Sequence, residues 1–333
     1  MSATTSMRRI HRRRSVQATA VSLATRLTVK NMVRLWAAQP DLQWPFESVD
    51  WFAGLVPNRL SAKIERVRLE HCAAEWIRPA RAAAPPPARA ILYLHGGAFV
   101  TCGLNTHRAM VSRLARAADA CVLNVNYRML PSHRISDAIE DGLAGLRWLD
   151  RRGYDPARIV VAGDSAGGYL AFMTTLAAIR TQLGKPAGVA TVSPFTDADP
   201  AAKLAHRNAG RCSMFPCGAL SVFARYLRQA QLRDEREQVS GEVISPVDAA
   251  DLSSLPPVTI HASSDELLLP DAETMARRLD GAGVRCDLHL WRGQIHDFPL
   301  AADVLPEGRR AIRYIGDFVR AVTTHGTPEA NAA

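Results

Sequence analysis

The sequence lacks the long apolar run that would predict a membrane-spanning segment. In its 333 residues no apolar stretch reaches the length of about 18 residues that a transmembrane helix needs. The N-terminal segment begins with basic residues, but Arg26, Lys30 and Arg34 interrupt the apolar stretch that follows. A signal peptide needs a continuous apolar core, so we expect no export signal.

Paired cysteines and clustered metal ligands are also missing. The six cysteines include no Cys-x-x-Cys pair, and Cys212 and Cys217 are near each other in sequence only, which does not establish a disulfide. A reduced, cytoplasmic setting is therefore expected. No cluster of His, Cys and Asp predicts a metal site, and no motif predicts another cofactor. Without a zinc-finger, homeodomain or RNA-binding signature, we expect no nucleic-acid partner.

Positive charge is concentrated at one end of the chain. The formal net charge is +9, and five of these charges come from arginines within residues 1–14. The sequence therefore predicts a disordered basic tail over 1–14. A helical period follows from Ser15 to about Ala38, with Val16, Ala20, Leu23 and Leu27 on one face. Such a helix would pack on the protein body, or lie on an anionic membrane surface.

The middle and end of the chain alternate between strand-like and helix-like segments. Apolar, β-branched runs are expected to form strands at 90–94, 121–125, 158–162, 189–192, 258–262 and 284–290. Helices are expected between them, which predicts an α/β fold with a mostly parallel sheet covered on both faces. Residues 198–245 interrupt the alternation with a helical composition, which indicates an insertion above the strand ends.

One strand leads into a short turn that has the pattern of a nucleophile elbow. Val160-Val161-Ala162 is followed by Gly163-Asp164-Ser165-Ala166-Gly167 and then by an apolar, helix-like segment. A serine at a sharp strand-to-helix turn needs small neighbours two positions away on each side, so that strand and helix can approach each other. Gly163 and Gly167 occupy these positions. The sequence therefore predicts Ser165 as a nucleophile.

A second glycine-rich turn predicts an oxyanion hole. His95-Gly96-Gly97-Ala98-Phe99 directly follows the strand at 90–94. Acyl transfer needs backbone N–H groups directed at the developing oxyanion, and a glycine-rich turn exposes such groups. This turn lies about 70 residues before Ser165 in the chain order expected for this type of site.

The nucleophile needs a general base and a carboxylate that orients the base. Asp265, just after the strand at 258–262, is the preferred acid. Glu266 and Asp271 are not preferred, because Glu266 is expected to be a bystander and Asp271 fits the start of the following helix. His296, after the last strand, is the preferred base, whereas His289 lies within a strand and is expected to be structural.

These motifs together resemble the hormone-sensitive-lipase-like family of α/β-hydrolases, the bacterial family IV carboxylesterases. The resemblance covers about residues 85–322. It includes the turns at 95–97 and 163–168, Asn126-Tyr127-Arg128, Ser193-Pro194-Phe195, Leu255-Pro256-Pro257, Asp265-Glu266-Leu267 and His296-Asp297-Phe298. It implies Ser165 as the nucleophile, His296 as the general base and acid, and Asp265 as the orienting carboxylate.

The resemblance also implies an oxyanion hole, a cap and a division of the chain. The N–H groups of Gly97, Ala98 and Ala166 would hold the oxyanion, and Gly96 would keep the turn open. Ala98 stands where the family often has a third glycine, which is expected to narrow the acyl pocket. The expected segments are a disordered tail at 1–14, cap helices at 15–55, a catalytic core at 56–197 and 246–323, a cap insertion at 198–245, and a disordered tail at 324–333.

The resulting hypothesis is a serine carboxylesterase that hydrolyses short- to medium-chain acyl esters through an acyl-enzyme. Three alternatives stay open: an N-acetyl deacetylase or amidase, a longer-chain lipase, and a non-catalytic ligand-binding homologue. The expected partner is a small acyl ester. A homodimer and a weak contact of the N-terminus with a membrane surface or the cell envelope also stay open.

Overall fold

The computed structural model describes residues 6–42, 44–55, 62–79, 88–236 and 245–324, without the side chains of 231–236. The strands are β1 (Met7–His11), β2 (Ala62–Arg68), β3 (Ala73–Pro79), β4 (Ala90–Leu94), β5 (Cys121–Asn126), β6 (Ile159–Asp164), β7 (Gly188–Val192), β8 (Val258–Ser263) and β9 (Cys286–Trp291). The helices are α1 (Val16–Leu27), α2 (Val29–Ala38), α3 (Phe46–Gly54), α4 (Leu104–Ala118), α5 (Ile135–Arg151), α6 (Ala166–Arg180), α7 (Ala201–Ala205), α8 (Cys217–Arg236), α9 (Leu269–Gly281) and α10 (Pro306–Thr324).

The strands form one sheet in the order β1-β9-β8-β7-β6-β4-β5-β3-β2. The pairs from β1 to β5 along this order are parallel, and β3 and β2 continue the sheet in antiparallel pairing. Helices α4 and α10 cover one face, and α5, α6 and α9 cover the other. The predicted mostly parallel α/β sheet is confirmed, and β-branched runs buried on both faces explain why these segments form its centre.

The carboxyl ends of the central parallel strands meet at one edge of the sheet. The glycine-rich turn follows β4, Ser165 follows β6, Glu266 follows β8 and His296 follows β9. Ligands and reactive groups of open α/β sheets collect at this edge, because parallel strands all end there. The topology therefore brings together turns that are widely separated in the sequence.

The expectation of a disordered tail over residues 1–14 is wrong for the segment from Met7 to His11. This segment is β1, which pairs in parallel with β9 over the register from Met7↔Asp287 to His11↔Trp291. Arg8 forms an ion pair with Glu273 at 2.7 Å. The main-chain pairing on an open sheet edge outweighs the local concentration of charge, and basic side chains are typical of edge strands. Residues 1–5 and 325–333 lie outside the described part, so the expected C-terminal tail is not tested.

The segment predicted as one helix from Ser15 to Ala38 forms two helices. Ser15 caps α1 by accepting a hydrogen bond from the Ala18 N–H at 3.1 Å, and Thr28, with φ −109° and ψ −80°, separates α1 from α2. The helices pack against the segment around α8, where Lys30 Nζ donates to the carbonyl oxygen of Cys212 at 2.6 Å. Of the helices in the described ranges, none is long and apolar enough to cross a membrane.

Three buried histidines from neighbouring strands stack at the β1 edge of the sheet. The ring centroids of His261 and His289 lie 4.4 Å apart, and those of His11 and Trp291 lie 3.7 Å apart. His11 Nε2 and His289 Nδ1 share a hydrogen bond of 3.1 Å. Burial, and after it the neighbouring charges, lowers the pKa of both His11 and His289 to about 4. This neutral stack holds β1 against the sheet.

We predict that the histidine stack makes the fold less stable in acid. Between pH 6.5 and about 4 these histidines take up protons in the unfolded chain but not in the folded chain, so the free energy of unfolding falls as the pH falls. Urea unfolding from pH 7 to pH 4.5 measures this slope. His11→Phe should flatten it, whereas the exposed control His71→Asn should not. An equal slope in wild type and His11→Phe would exclude the stack as its source.

Candidate active site

Ser165 lies at a strained turn between β6 and α6. Its backbone has φ +50° and ψ −119°, a conformation that L-residues rarely adopt. Two hydrogen bonds to the end of β7 and the loop after it hold the turn in place. The Ser165 N–H donates to the Val192 carbonyl at 2.9 Å, and the Phe195 N–H donates to the Ser165 carbonyl at 2.9 Å. The geometry is that of the nucleophile elbow that the sequence predicts.

The glycines that flank Ser165 are needed because main chain approaches main chain at this point. A Cβ atom on Gly163 would overlap the carbonyl oxygen of Gly167, and a Cβ atom on Gly167 would overlap that of Leu94. Any side chain at these positions would push β4, β6 and α6 apart. The two glycines therefore set the distance between the end of β4 and Ser165.

The turn after β4 coils tightly through three residues with positive φ. The φ angles are +123° at Gly97, +53° at Ala98 and +60° at Phe99, and the N–H groups of Val100 and Thr101 both donate to the Gly97 carbonyl at 3.0 Å. Within the described ranges, the N–H groups of Gly97, Ala98 and Ala166 make no hydrogen bond. They are therefore available to an oxyanion next to Ser165.

The carboxylate of Asp164 joins this turn to the elbow. Asp164 Oδ1 accepts hydrogen bonds from the Tyr93 hydroxyl at 2.6 Å and from the Gly96 N–H at 3.1 Å, and Oδ2 lies 3.0 Å from His107 Nε2. Burial alone would raise the pKa of Asp164, but His107 and Tyr93 lower it to about 2. Gly96 has no room for a Cβ atom, which would overlap this carboxylate. Gly96 thus supports the turn, and its N–H is already used.

His296 is held by Glu266, not by Asp265. The Nδ1 atom of His296 lies 2.6 Å from Glu266 Oε2, and Glu266 Oε1 accepts a hydrogen bond from the Ser263 N–H at 2.7 Å. Both side chains are buried. Because a carboxylate only accepts, Nδ1 is the donor to Glu266, and in the neutral form of the ring the free electron pair is therefore on Nε2. Glu266 has the position and contact of the orienting carboxylate.

The choice of Asp265 from the sequence is therefore wrong in this geometry. Asp265 is exposed, and its Oδ1 accepts a hydrogen bond from the hydroxyl of the neighbouring Ser264 at 2.8 Å. The two adjacent acids point in different directions from the turn after β8. Asp271 lies in the first turn of α9, as expected, and is paired with Lys203 at 2.9 Å. Of the three acids, only Glu266 is buried beside His296, and no sequence pattern shows this difference.

A second carboxyl group, which no sequence pattern marks as part of the site, lies on the other side of His296. Asp297 Oδ2 is 3.0 Å from His296 Nε2, but the geometry makes no hydrogen bond, and Nε2 has no hydrogen-bond partner in the described part of the chain. Burial raises the pKa of Asp297 to about 7. Burial alone would lower the pKa of His296, but Asp297 and Glu266 together raise it well above its usual value.

An apolar cavity of about 350 Å³ opens over Ser165. Ser165, Ala166 and Ala98 form its floor, and its walls come from α2, α3, α8 and the strand ends. Phe215 lines the cavity and contacts the His296 ring edge-on, with 4.9 Å between centroids. The cavity therefore contains Ser165 and two of the residues with free N–H groups, and Phe215 separates it from the His296 ring. No charged side chain of the described residues lines it.

Comparison with known proteins identifies the family. A family profile described as alpha/beta hydrolase fold matches residues 91–300. The chain belongs to this family. It is 36% identical over 310 residues to the carboxylesterase/phospholipase LipF of Mycobacterium tuberculosis, covering 93% of this chain and 83% of LipF. It is 37% identical over 299 residues to the esterase LipU of the same organism, covering 89% of this chain and all of LipU.

Solved structures place the chain among the bacterial esterases of the same fold. The structure of EstE5 soaked with p-nitrophenyl butyrate has a TM-score of 0.79 at 31% identity, covering 93% of this chain and 100% of EstE5. An esterase from the bacterial hormone-sensitive lipase family has a TM-score of 0.76 at 31% identity, covering 93% of this chain and 99% of that one. The resemblance drawn from the motifs is confirmed, and the chain is a serine esterase of this family.

We predict that Glu266 and not Asp265 supports catalysis. Glu266→Gln keeps the shape of the side chain but removes the charge that holds the Nδ1 proton, and loss of such a carboxylate lowers kcat by about 10⁴-fold. Asp265→Asn is the matched control at the neighbouring exposed position and should retain kcat. Steady-state hydrolysis of p-nitrophenyl butyrate measures both, with circular dichroism as a check on folding. A large loss in Asp265→Asn with little change in Glu266→Gln would contradict the assignment.

Proposed function

We propose that this esterase hydrolyses short- to medium-chain acyl esters through an acyl-enzyme on Ser165. The observation that carries the proposal is that Ser165, Ala98 and Ala166 line one small apolar cavity, and that Phe215 in the wall of this cavity contacts the His296 ring. A volume of about 350 Å³ is at the low end of small-molecule sites, which favours small substrates. The absence of charge on the described walls favours an apolar acyl chain.

In the first half of the proposed reaction, Ser165 Oγ attacks the ester carbonyl and His296 Nε2 takes its proton. The negative charge that develops on the carbonyl oxygen is stabilised by the N–H groups of Gly97, Ala98 and Ala166. Glu266 stabilises the imidazolium through Nδ1. His296 then gives the proton to the leaving alcohol, and the C–O bond breaks to leave the acyl group on Ser165.

In the second half a water molecule attacks the acyl-enzyme. His296 takes a proton from this water, the same N–H groups hold the second oxyanion, and the proton returns to Ser165 Oγ as the acid leaves. Both halves use the same residues. The charges and protons balance without any further group, so the proposal needs no metal or cofactor.

The same proposal assigns a cap to the N-terminal helices and the insertion. Helices α2, α3 and α8 supply cavity walls through Met32, Trp36, Phe46, Leu220 and Phe223. Tyr226 on α8 donates a hydrogen bond to the carbonyl of Pro40 at 2.8 Å, which ties the two segments together. These segments would select the substrate, whereas the sheet supplies the chemistry.

The proposal also includes contacts that the outer surface of the cap makes with other molecules. Leu27, Leu35, Trp51 and Phe52 on α1 to α3 expose 57–63% of their surface. We propose that these apolar side chains form a weak contact with a membrane surface or with a second copy of the chain, and that the protein works in the cytoplasm with its cysteines reduced. All six cysteines are free thiols in the structure.

We predict that p-nitrophenyl esters from acetate to palmitate are cleaved with the highest kcat/KM at short to medium chain length. Ser165→Ala should lower kcat by about 10⁶-fold, because the covalent step is lost. Ser264→Ala is the matched control and should keep the activity, because within the described ranges this half-buried serine near the site donates its hydroxyl only to Asp265.

Other outcomes would identify the alternatives. A maximum at palmitate would indicate a lipase. Faster cleavage of an acetamide than of its matched acetyl ester would indicate a deacetylase or amidase. Unchanged activity in Ser165→Ala would contradict the proposed nucleophile.

A further inference from the structure

A strongly basic recess lies on the outer surface of α4 and α10, away from the apolar cavity. Its volume is about 540 Å³. No residue lines both this recess and the cavity over Ser165. Six arginines contribute guanidinium groups to it: Arg113, Arg116, Arg309, Arg310, Arg313 and Arg320.

The nearby carboxylates do not balance this charge. Arg113 pairs with Asp303, and Arg320 pairs with Asp317. In the described part of the chain Arg116 and Arg313 have no acidic partner, and both are exposed. Of the other arginines, Arg309 donates to the carbonyls of Ala302 and Asp303, Arg320 also donates to that of Ala117, and Arg310 lies over the Trp291 ring. None of these contacts removes charge, so the six arginines that line the recess outnumber the two carboxylates paired with them, and like charges repel each other unless an anion enters.

The positive region continues into an adjoining smaller recess. Arg310 lines both, and Arg13 and Arg14 lie in the second. The acid there, Glu307, accepts two hydrogen bonds from Ser15, at 2.7 Å from its N–H and 2.9 Å from its hydroxyl. This carboxylate is buried and committed to the start of α1. The two adjoining recesses together therefore carry a surplus of positive charge.

Guanidinium groups select the kind of anion that fits. They are charged at every physiological pH, and their planar forks bind phosphate oxygens with two parallel hydrogen bonds. A recess lined by positive charges concentrates the positive electrostatic potential inside it. We propose that the recess between α4 and α10 binds a polyvalent phosphate group, carried by a free polyphosphate or by a phospholipid headgroup.

Binding is tested with inorganic tripolyphosphate and with lipid vesicles on the full-length protein. Tripolyphosphate should raise the Tm, because a ligand that binds only the folded state stabilises it. Calorimetric titration should give an affinity that weakens as NaCl is raised from about 0.05 M to about 0.3 M. Phosphatidylcholine vesicles with and without phosphatidic acid, in a flotation assay, separate the lipid source from the free source.

The double variant Arg116→Ser/Arg313→Ser should bind about tenfold or more weakly to whichever probe, tripolyphosphate or vesicle, binds to the wild type. The control Arg151→Ser/Arg277→Ser removes the same charge from two exposed positions on α5 and α9 and should leave the affinity unchanged. Arg116→Lys/Arg313→Lys keeps the charge without the fork and should bind with intermediate affinity. Circular dichroism checks that every variant is folded.

The outcomes separate clearly. Loss of tripolyphosphate binding only in the recess variant supports a free polyphosphate. Loss of binding to phosphatidic acid vesicles only in the recess variant supports a lipid headgroup. Equal binding in the recess and control variants, or no binding of either probe to the wild type, overturns the proposal. Failure of ester hydrolysis would leave this test unaffected, since the two cavities share no residue.

Discussion

The active site depends on one close approach, between the end of β4 and the turn from β6 into α6. Gly163 and Gly167 leave no space for a Cβ atom, so the Leu94 carbonyl lies directly against the elbow. Asp164 then fixes the register of the two turns by accepting from Tyr93 and from the Gly96 N–H. The unpartnered N–H groups and the serine are placed relative to each other by this contact, because neither turn can shift without breaking it.

The pKa of His296 depends on carboxyl groups on both sides of its ring. Glu266 accepts a hydrogen bond from Nδ1, and the carboxyl group of Asp297 lies near Nε2. Buried charges of equal sign repel each other, which is one reason, after burial itself, why the pKa of Asp297 is raised to about 7 by the structure around it. Of the two carboxyl groups only Glu266 makes a hydrogen bond to His296, so Nε2 has no hydrogen-bond partner in the described part of the chain.

Much of the fold and part of the site can be predicted from the sequence. The apolar, β-branched segments of the sequence predict β4 to β9, with most strand ends within two residues of those in the structure. This works because strands buried in a parallel sheet are almost always made of such residues. The glycines around Ser165 have a steric reason that is visible in the spacing alone. Asp265 and Glu266 could not be separated, because adjacent residues in a turn differ by side-chain direction and burial. Strand β1 was missed because its pairing with β9, at the other end of the chain, outweighs its own charge.

The central claim is that Ser165 is the nucleophile activated by His296. Reaction with one equivalent of diethyl p-nitrophenyl phosphate, followed by peptide mass spectrometry, tests it directly, since the phosphoryl group stays on the attacking oxygen. We expect one diethylphosphoryl group per chain on Ser165 in the wild type, and almost none in His296→Ala under the same conditions. Labelling of another residue, or full labelling of Ser165 without His296, would contradict it.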